Sequence, residues 1–328
     1  MTIETMVKRC SPLLVLASVT SCALTGAQSG INALGSPRLE TIQIADRNVF
    51  PESITSTRAG AVIIGSLAQP YIYRASPGEA IAQRWIDLTP FGSISYGVLA
   101  DEPSRTLWTC TVISPRTGER PPPLTERHST LRAYDLETGS AKGAWPLPGQ
   151  SNACNDIAIG PEGIPYVSDL GNGRILRLRG NGSFELFYSG PQLNRVDGLA
   201  FLGKDLYATN LESGQIFRLT PGRHGPVISQ PLQISVALNR PDGLRSYGGR
   251  LYLADNGLGK VFSLTVKGTR ATAENLRDGL ERPTGVTRST GKLWMVESKT
   301  DHWDDGADPN PFTVRSVPLP PSSHRRAR

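Results

Sequence analysis

The sequence predicts an all-β fold, a six-bladed β-propeller with four-stranded antiparallel blades. One observation behind this prediction is a phrase of short strands and glycine turns that recurs six times along the chain. The other is the abundance of turn-forming residues, since 34 of the 328 residues are glycine and 26 are proline. Many turns favour many short strands over long helices. A repeat of about 40–45 residues with four strands is typical of a propeller blade.

The first 27 residues have the pattern of an export signal. Lys8 and Arg9 precede an apolar run at residues 12–24, which is too short to span a bilayer. Two processing sites remain open: a lipobox-like Val-Thr-Ser-Cys that would place a lipid on Cys22, and ordinary cleavage at residues 25–27. An uncleaved apolar N-terminus is a third interpretation. We therefore expect an exported protein, periplasmic or secreted, that touches a membrane only through a lipid on Cys22.

The rest of the chain divides into three parts. Residues 28–37 are a Ser/Gly-rich linker, residues 38–320 form the propeller, and residues 321–328 are a basic tail. Hydrophobic residues make up 38% of the chain, which excludes intrinsic disorder, and four cysteines are too few for a small disulfide scaffold. The net charge of +6 comes partly from the two ends, and no basic stripe alternates with aromatic residues. We therefore expect no nucleic-acid partner, and we expect a monomer.

The repeat is clearest in its third copy. This copy has an apolar strand at residues 155–159, a Gly-Pro-Glu-Gly turn, a second strand at 164–169 and a third at 173–178. Aligning the starts of the six copies at residues 53, 97, 156, 198, 243 and 285 gives gaps of 44, 59, 42, 45 and 42 residues. We expect residues 39–44 or residues 312–317 to pair with a neighbouring blade and hide an open sheet edge.

Propeller geometry brings polar residues from different blades to one end of the central channel. The innermost strands begin at Glu52, Asn155, Asp197 and Asp242. Carboxylate and amide oxygens on one axis suit a hard cation, and calcium tolerates irregular oxygen geometry better than magnesium does. The chain has too few histidines to favour zinc. The alternative is that Asp-Gly and Asn-Asp are ordinary turn residues at strand ends.

Over residues 48–300 the sequence resembles the gluconolactonase, senescence-marker-protein (regucalcin) and paraoxonase-like propellers. The matching phrases are Phe-Pro-Glu-Ser ending at Ser53, Asn155-Asp156, Val-Asp-Gly-Leu from Val196, and Pro-Asp-Gly-Leu from Pro241. The resemblance implies one divalent cation in the channel, with Glu52, Asp197 and Asp242 as ligands and Asn155 as a ligand or a substrate contact. It also implies hydrolysis of lactones or related esters, in which the cation polarises the carbonyl oxygen.

Three departures from the family pattern bear on the chemistry. The family usually has Asn-Gly where this chain has Asp197-Gly198, and the added negative charge would tighten the cation and weaken its Lewis acidity. Regucalcin-type members carry an arginine where this chain has Ala153, which argues against a sugar-acid lactone. The histidine dyad of paraoxonases has no match, because His128 lies in an insertion.

The same strand-direction argument places three further segments at the metal end of the channel. The insertion at residues 114–130, with its stiff Pro121–Pro123 run, is a lid over the site or a surface loop. Residues 301–305 are a pocket rim or a solvated loop. Cys110 and Cys154 fall in adjacent blades at this end, either as a disulfide or as two free cysteines.

The sequence thus predicts a calcium-dependent hydrolase of a small-molecule lactone or ester. Asp242 is expected to be both ligand and general base, while Asn155 holds the substrate. The alternative is a non-catalytic binding or scaffold propeller with a structural cation or none.

Overall fold

The computed structural model describes residues 40–319, except Pro115 and residues 223–226. The predicted export signal, the linker, Cys22 and the basic tail lie outside the described residues. No helix of the described part is long and apolar enough to cross a membrane.

The described part of the chain consists almost entirely of strands. The first strand is β1 (Thr41–Ile44). Blade 1 contains β2 (Pro51–Ser56), β3 (Val62–Ser66), β4 (Tyr71–Ala75) and β5 (Ile81–Asp87). Blade 2 contains β6 (Ser93–Asp101), β7 (Thr106–Ile113), β8 (Ser129–Asp135) and β9 (Ala141–Pro146). Blade 3 contains β10 (Cys154–Ile159), β11 (Pro165–Asp169), β12 (Arg174–Leu178) and β13 (Phe184–Ser189).

The second half of the chain repeats this organisation. Blade 4 contains β14 (Val196–Leu202), β15 (Asp205–Asn210), β16 (Gln215–Thr220) and β17 (Ile228–Pro231). The two-residue β18 (Gln233–Ile234) precedes blade 5, which contains β19 (Pro241–Tyr247), β20 (Arg250–Asp255), β21 (Lys260–Lys267) and β22 (Arg270–Arg277). Blade 6 contains β23 (Pro283–Ser289), β24 (Lys292–Glu297) and β25 (Thr313–Pro318). The helices of the described residues are α1 (His302–Asp305) and three single 3-10 turns at Thr89–Phe91, Leu124–Glu126 and Pro191–Leu193.

The six blades close into a ring, so the predicted six-bladed propeller is confirmed. The innermost strands β2, β6, β10, β14, β19 and β23 contact one another in cyclic order. The first strand, β1, pairs antiparallel with β25 and supplies the fourth strand of blade 6. Both segments that the sequence offered for closure therefore take part, because one forms the third strand of this blade and the other forms its outer strand.

Burial of one aliphatic side chain per blade holds the inner strands together. At the same repeat position each inner strand carries a side chain that is at most 1% exposed, namely Ile54, Val98, Ile157, Leu199, Leu244 and Val286. Full burial of such a side chain stabilises a fold by about 1.5–3 kcal/mol. This layer lies two residues beyond the positions that face the mouth of the channel.

Candidate metal centre

Each inner strand presents one side chain to the same end of the channel. These six residues, called the axial residues below, are Glu52, Tyr96, Asn155, Asp197, Asp242 and Thr284, and all six line one cavity of about 620 Å³. Every inner strand has a shift of register with its neighbour at this position. A β-bulge of this kind bends a strand and re-aims its side chain. The bulge therefore explains how each strand turns one polar side chain towards the axis.

Glycines allow the inner strands to approach one another closely behind these side chains. A Cβ on Gly198 would lie 2.3 Å from the carbonyl oxygen of Asp242. A Cβ on Gly243 would lie 2.3 Å from the carbonyl oxygen of Thr284. Real Cβ atoms do not approach backbone oxygens this closely, so a side chain at either position would push two blades apart. The Asp-Gly pairs thus serve the site as well as the turn.

The structure brings three predicted ligands together. One carboxylate oxygen each from Glu52, Asp197 and Asp242 lies within 4.8 Å of the other two. Asn155 lines the same cavity as these three carboxylates. Asp197, Asp242 and Asn155 are buried, whereas Glu52 keeps partial exposure to the cavity. The fourth predicted group therefore lies beside the carboxylate cluster.

Burial and mutual repulsion raise the pKa of all three carboxyl groups. Loss of hydration and then the charge of Asp197 raise the pKa of Glu52 to about 8. Loss of hydration and then the charge of Asp156 raise the pKa of Asp197 to about 7. Burial, followed by the charges of Asp197 and Glu52, raises the pKa of Asp242 well above its ordinary value. The nearby charges of Arg127 and Arg240 offset these rises only in part, and the oxygen-only ligands of the cluster fit a hard divalent cation.

An ion pair closes the channel below the carboxylate cluster. The Arg245 guanidinium donates to Asp156 Oδ2 at 2.8 Å and to the carbonyl oxygen of Val98 at 3.3 Å. Asp156 Oδ2 also accepts a hydrogen bond from the backbone N–H of Leu199 at 2.8 Å. The Asp156 carboxylate is thus paired with Arg245 and is not part of the carboxylate cluster. Arg245 was not predicted from the sequence; its only signal is a basic residue in the middle of an inner strand.

The long insertion after β7 borders the same cavity, as its predicted position requires. Arg120, Pro121–Pro123, Leu124 and Arg127 all line it. Arg127 donates from Nε to the carbonyl oxygen of Pro122 at 2.8 Å, and its guanidinium lies 5.2 Å from the centre of the Tyr96 ring. The insertion therefore contributes a wall of the cavity and two positive charges.

Residues after β24 form another part of the rim. Asp301, Trp303 and Asp304 line the cavity. The Arg120 guanidinium lies 2.5 Å from a carboxylate oxygen of Asp304 and 5.5 Å from the centre of the Trp303 ring. These contacts join the insertion of blade 2 to the rim of blade 6 across the mouth.

The structure also shows where the remaining residues named in the sequence analysis lie. The structure joins Cys110 on β7 to Cys154 on β10 by a disulfide, directly before Asn155. His128 is exposed and does not line the cavity. The backbone N–H of Ala153, where related propellers carry an arginine, donates to Asp169 at 2.8 Å.

Comparisons with known proteins identify the fold of this chain but not the reaction that it catalyses or the ligand that it binds. No family model matches the sequence, and no curated protein matches it. A gluconolactonase from Xanthomonas campestris is similar in structure, at 17% identity and a TM-score of 0.61, over 88% of this chain and 91% of that one. A protein described as a putative gluconolactonase is 17% identical, with a TM-score of 0.61, over 87% of this chain and 96% of that one.

Propellers with other activities are similar to the same degree. Virginiamycin B lyase from Staphylococcus aureus is 14% identical, with a TM-score of 0.58, over 86% of this chain and 99% of that one. At such identities the likeness concerns the fold alone. The chain therefore has the β-propeller fold that gluconolactonases and related proteins share.

Proposed function

We propose that this protein is an exported, calcium-dependent hydrolase of lactones or related esters. The observation that carries the proposal is the convergence of Glu52, Asp197 and Asp242, whose carboxylate oxygens lie within 4.8 Å of one another. Asn155 lines the same cavity. A cavity of about 620 Å³ suits a small molecule. The sequence resemblance to lactone-hydrolysing propellers supports this choice of reaction.

The residues of the cluster have separate roles in this reaction. A divalent cation on Glu52, Asp197 and Asp242 supplies Lewis acidity towards the carbonyl oxygen of the substrate. Asp242, as a carboxylate, accepts a proton from the water that attacks the carbonyl carbon, and the carbonyl π electrons move to oxygen. When the ester C–O bond breaks, the leaving oxygen takes that proton from Asp242. Asn155 donates its amide N–H to the substrate and fixes its orientation.

The proposal is tested by hydrolysis and stability measurements in parallel. A panel of lactones and aryl esters is assayed with Ca²⁺ and with a chelator, and thermal unfolding is followed under the same conditions. We expect turnover that the chelator abolishes and a melting temperature that Ca²⁺ raises. Stabilisation by Ca²⁺ without turnover of any panel member favours the non-catalytic binding propeller instead.

A single substitution tests the assignment of the general base. Asp242→Ala should abolish hydrolysis and lower Ca²⁺ affinity, whereas Glu79→Gln, an exposed carboxylate far from the cavity, should change neither. Full lactonase activity in Asp242→Ala would show that the assignment is wrong.

The proposed export has its own experiment. Full-length protein and the Cys22→Ala variant are expressed in bacteria with labelled palmitate, and the cells are fractionated. A label that is lost in Cys22→Ala identifies the lipoprotein route, and an unlabelled periplasmic or secreted protein identifies ordinary cleavage. Recovery of both proteins only in the cytoplasm would contradict export.

A further inference from the structure

Three arginines occupy the same position in three consecutive blades. Arg195, Arg240 and Arg282 each precede the axial residue of their blade by two positions. The carbonyl oxygen of each accepts a hydrogen bond from the loop that follows the second strand of its blade. The donors, at 3.1, 3.1 and 2.9 Å, are the backbone N–H groups of Leu211, Asn256 and Ser298. All three arginines line the mouth cavity.

The backbone at these positions gives no local reason for arginine. The φ angles of Arg195, Arg240 and Arg282 are 63°, 58° and 53°, in the left-handed region. Glycine and asparagine adopt this conformation at lower cost than a long side chain does. The recurrence of arginine therefore points to a role for its side chain.

Two of these guanidinium groups lack a protein partner. The side chains of Arg195 and Arg240 are exposed and form no hydrogen bond or ion pair within the described residues. Arg282, in contrast, donates from Nε to Asp301 at 2.7 Å. The guanidinium groups of Arg195 and Arg240 are therefore available to bind a ligand. They lie on the two blades that also carry Asp197 and Asp242.

The charge balance of the cavity favours an anionic ligand. A divalent cation among three carboxylates leaves one negative charge, which the two unpaired guanidinium groups more than offset. Among the rim acids, Asp301 is paired with Arg282 and Asp304 with Arg120. The side of the mouth formed by blades 4 and 5 thus attracts anions.

We propose that Arg195 and Arg240 bind an oxyanion, a carboxylate or a phosphate, that the substrate carries away from its scissile carbonyl. The inference rests on the proposed function for the position of that carbonyl at the cluster. Guanidinium groups bind carboxylate and phosphate through paired N–H donors, which orients the ligand as well as holding it. The substrate class is therefore anionic lactones or esters.

A pair of probes that differ in charge and by one methyl group tests this inference. The probes are 5-oxotetrahydrofuran-2-carboxylate and its methyl ester, whose affinities are measured by calorimetry in chelator and again with Ca²⁺. We expect the carboxylate to bind about tenfold more tightly than the methyl ester at low salt. High salt should reduce this preference, because exposed charges are screened.

Matched variants locate the preference. Arg195→Gln with Arg240→Gln removes both positive charges but keeps polar side chains, and it should remove most of the preference for the charged probe. Arg58→Gln removes an equally exposed arginine at the opposite mouth of the channel and should leave the preference intact. Competition by inorganic phosphate against acetate shows which oxyanion the pair prefers.

The outcomes separate this inference from the proposed function. If no lactone or ester of the panel is hydrolysed with Ca²⁺ but the charge preference holds, the proposed function fails and the oxyanion site stands. If the methyl ester binds as well as the acid, or the double variant keeps the preference, the oxyanion site is wrong whatever the activity.

Discussion

Arg245 and Asp156 form a buried ion pair across the middle of the channel. Their side chains are 8% and 6% exposed, and Arg245 Nη1 lies 2.8 Å from Asp156 Oδ2. The same oxygen accepts the backbone N–H of Leu199, and the guanidinium reaches the carbonyl oxygen of Val98. The two side chains therefore link blades 2, 3, 4 and 5, through their contact with each other and their hydrogen bonds to the backbone.

Removing one partner of this pair should destabilise the fold strongly. We expect Asp156→Asn to lower the free energy of unfolding by about 3 kcal/mol, because it leaves a buried guanidinium without its counter-charge. Arg250→Gln, which breaks an exposed pair with Glu274, should cost less than about 1 kcal/mol. Urea unfolding measures both, and equal losses in the two variants would contradict the role given to Arg245.

A methyl group between blades 4 and 5 should separate the carboxylates. Gly198→Ala places a Cβ 2.3 Å from the carbonyl oxygen of Asp242, so we expect a loss of about 2 kcal/mol in stability and weaker Ca²⁺ binding. Gly180→Ala is the control, since no atom lies within 4 Å of the added Cβ. Unchanged Ca²⁺ affinity in Gly198→Ala would show that the close approach of the strands does not position Asp197 and Asp242.

Without a cation, the protein should lose stability as pH rises. The pKa values of Glu52 and Asp197 in the folded chain are about 8 and about 7, so the folded state holds protons that the unfolded state releases near pH 4. Stability in chelator must therefore fall between about pH 4 and pH 8. Glu52→Gln should flatten this dependence, and Ca²⁺ should suppress it. Thermal unfolding across this range measures the slope, and a rise in stability with pH would contradict the charge cluster.

The carboxylate of Asp197 should increase the affinity for the cation and lower the catalytic rate. In Asp197→Asn one negative charge is removed from the cluster while its shape is kept. We expect about tenfold weaker Ca²⁺ binding and a higher kcat in the Ca²⁺-saturated enzyme, since the cation then withdraws more electron density from the substrate. Calorimetry and saturation kinetics report the two quantities separately. A lower kcat at saturation would show that Asp197 does more than tune the charge.

The disulfide between blades 2 and 3 should contribute to stability. It closes a loop of 44 residues, which restricts the unfolded chain and stabilises the fold by about 4 kcal/mol in the entropic description. We expect Cys110→Ser with Cys154→Ser to lower the free energy of unfolding by up to this amount, and a reductant to do the same to the parent protein. A double variant as stable as the parent would contradict the prediction.

The repeat made most of the site predictable. A period of 42–45 residues, lengthened once to 59 by the insertion after β7, aligns Glu52, Asn155, Asp197 and Asp242 at one strand position. Strand direction sends that position to one end of the channel. The structure brings these residues together because the fold repeats with the sequence. The insertion at residues 114–130 borders the site for the same reason.

Contacts that depend on how far a side chain reaches could not be predicted from the sequence. Arg245 spans the channel to a carboxylate 89 residues earlier, and no local pattern specifies which blade a long side chain will reach. Arg195 and Arg240 carry a visible signal, an Arg-x-Asp-Gly phrase repeated in two blades, but only its aspartates entered the predicted site. The closure also needed the structure, because both candidate strands fit the same pattern and only the ladder shows that each has a place.

The outer strand of blade 6 has a consequence for how the protein reaches its native state. The backbone N–H of Ser316 donates to the carbonyl oxygen of Glu40, a residue 276 positions earlier. Strand β1 cannot complete its pairing until β25, the last strand of the described residues, has been synthesised, and such long-range pairing slows folding. Until then the two strand edges are exposed to aggregation. A propeller whose ring closes only when β25 is available would benefit from a chaperone that shields β1 until then.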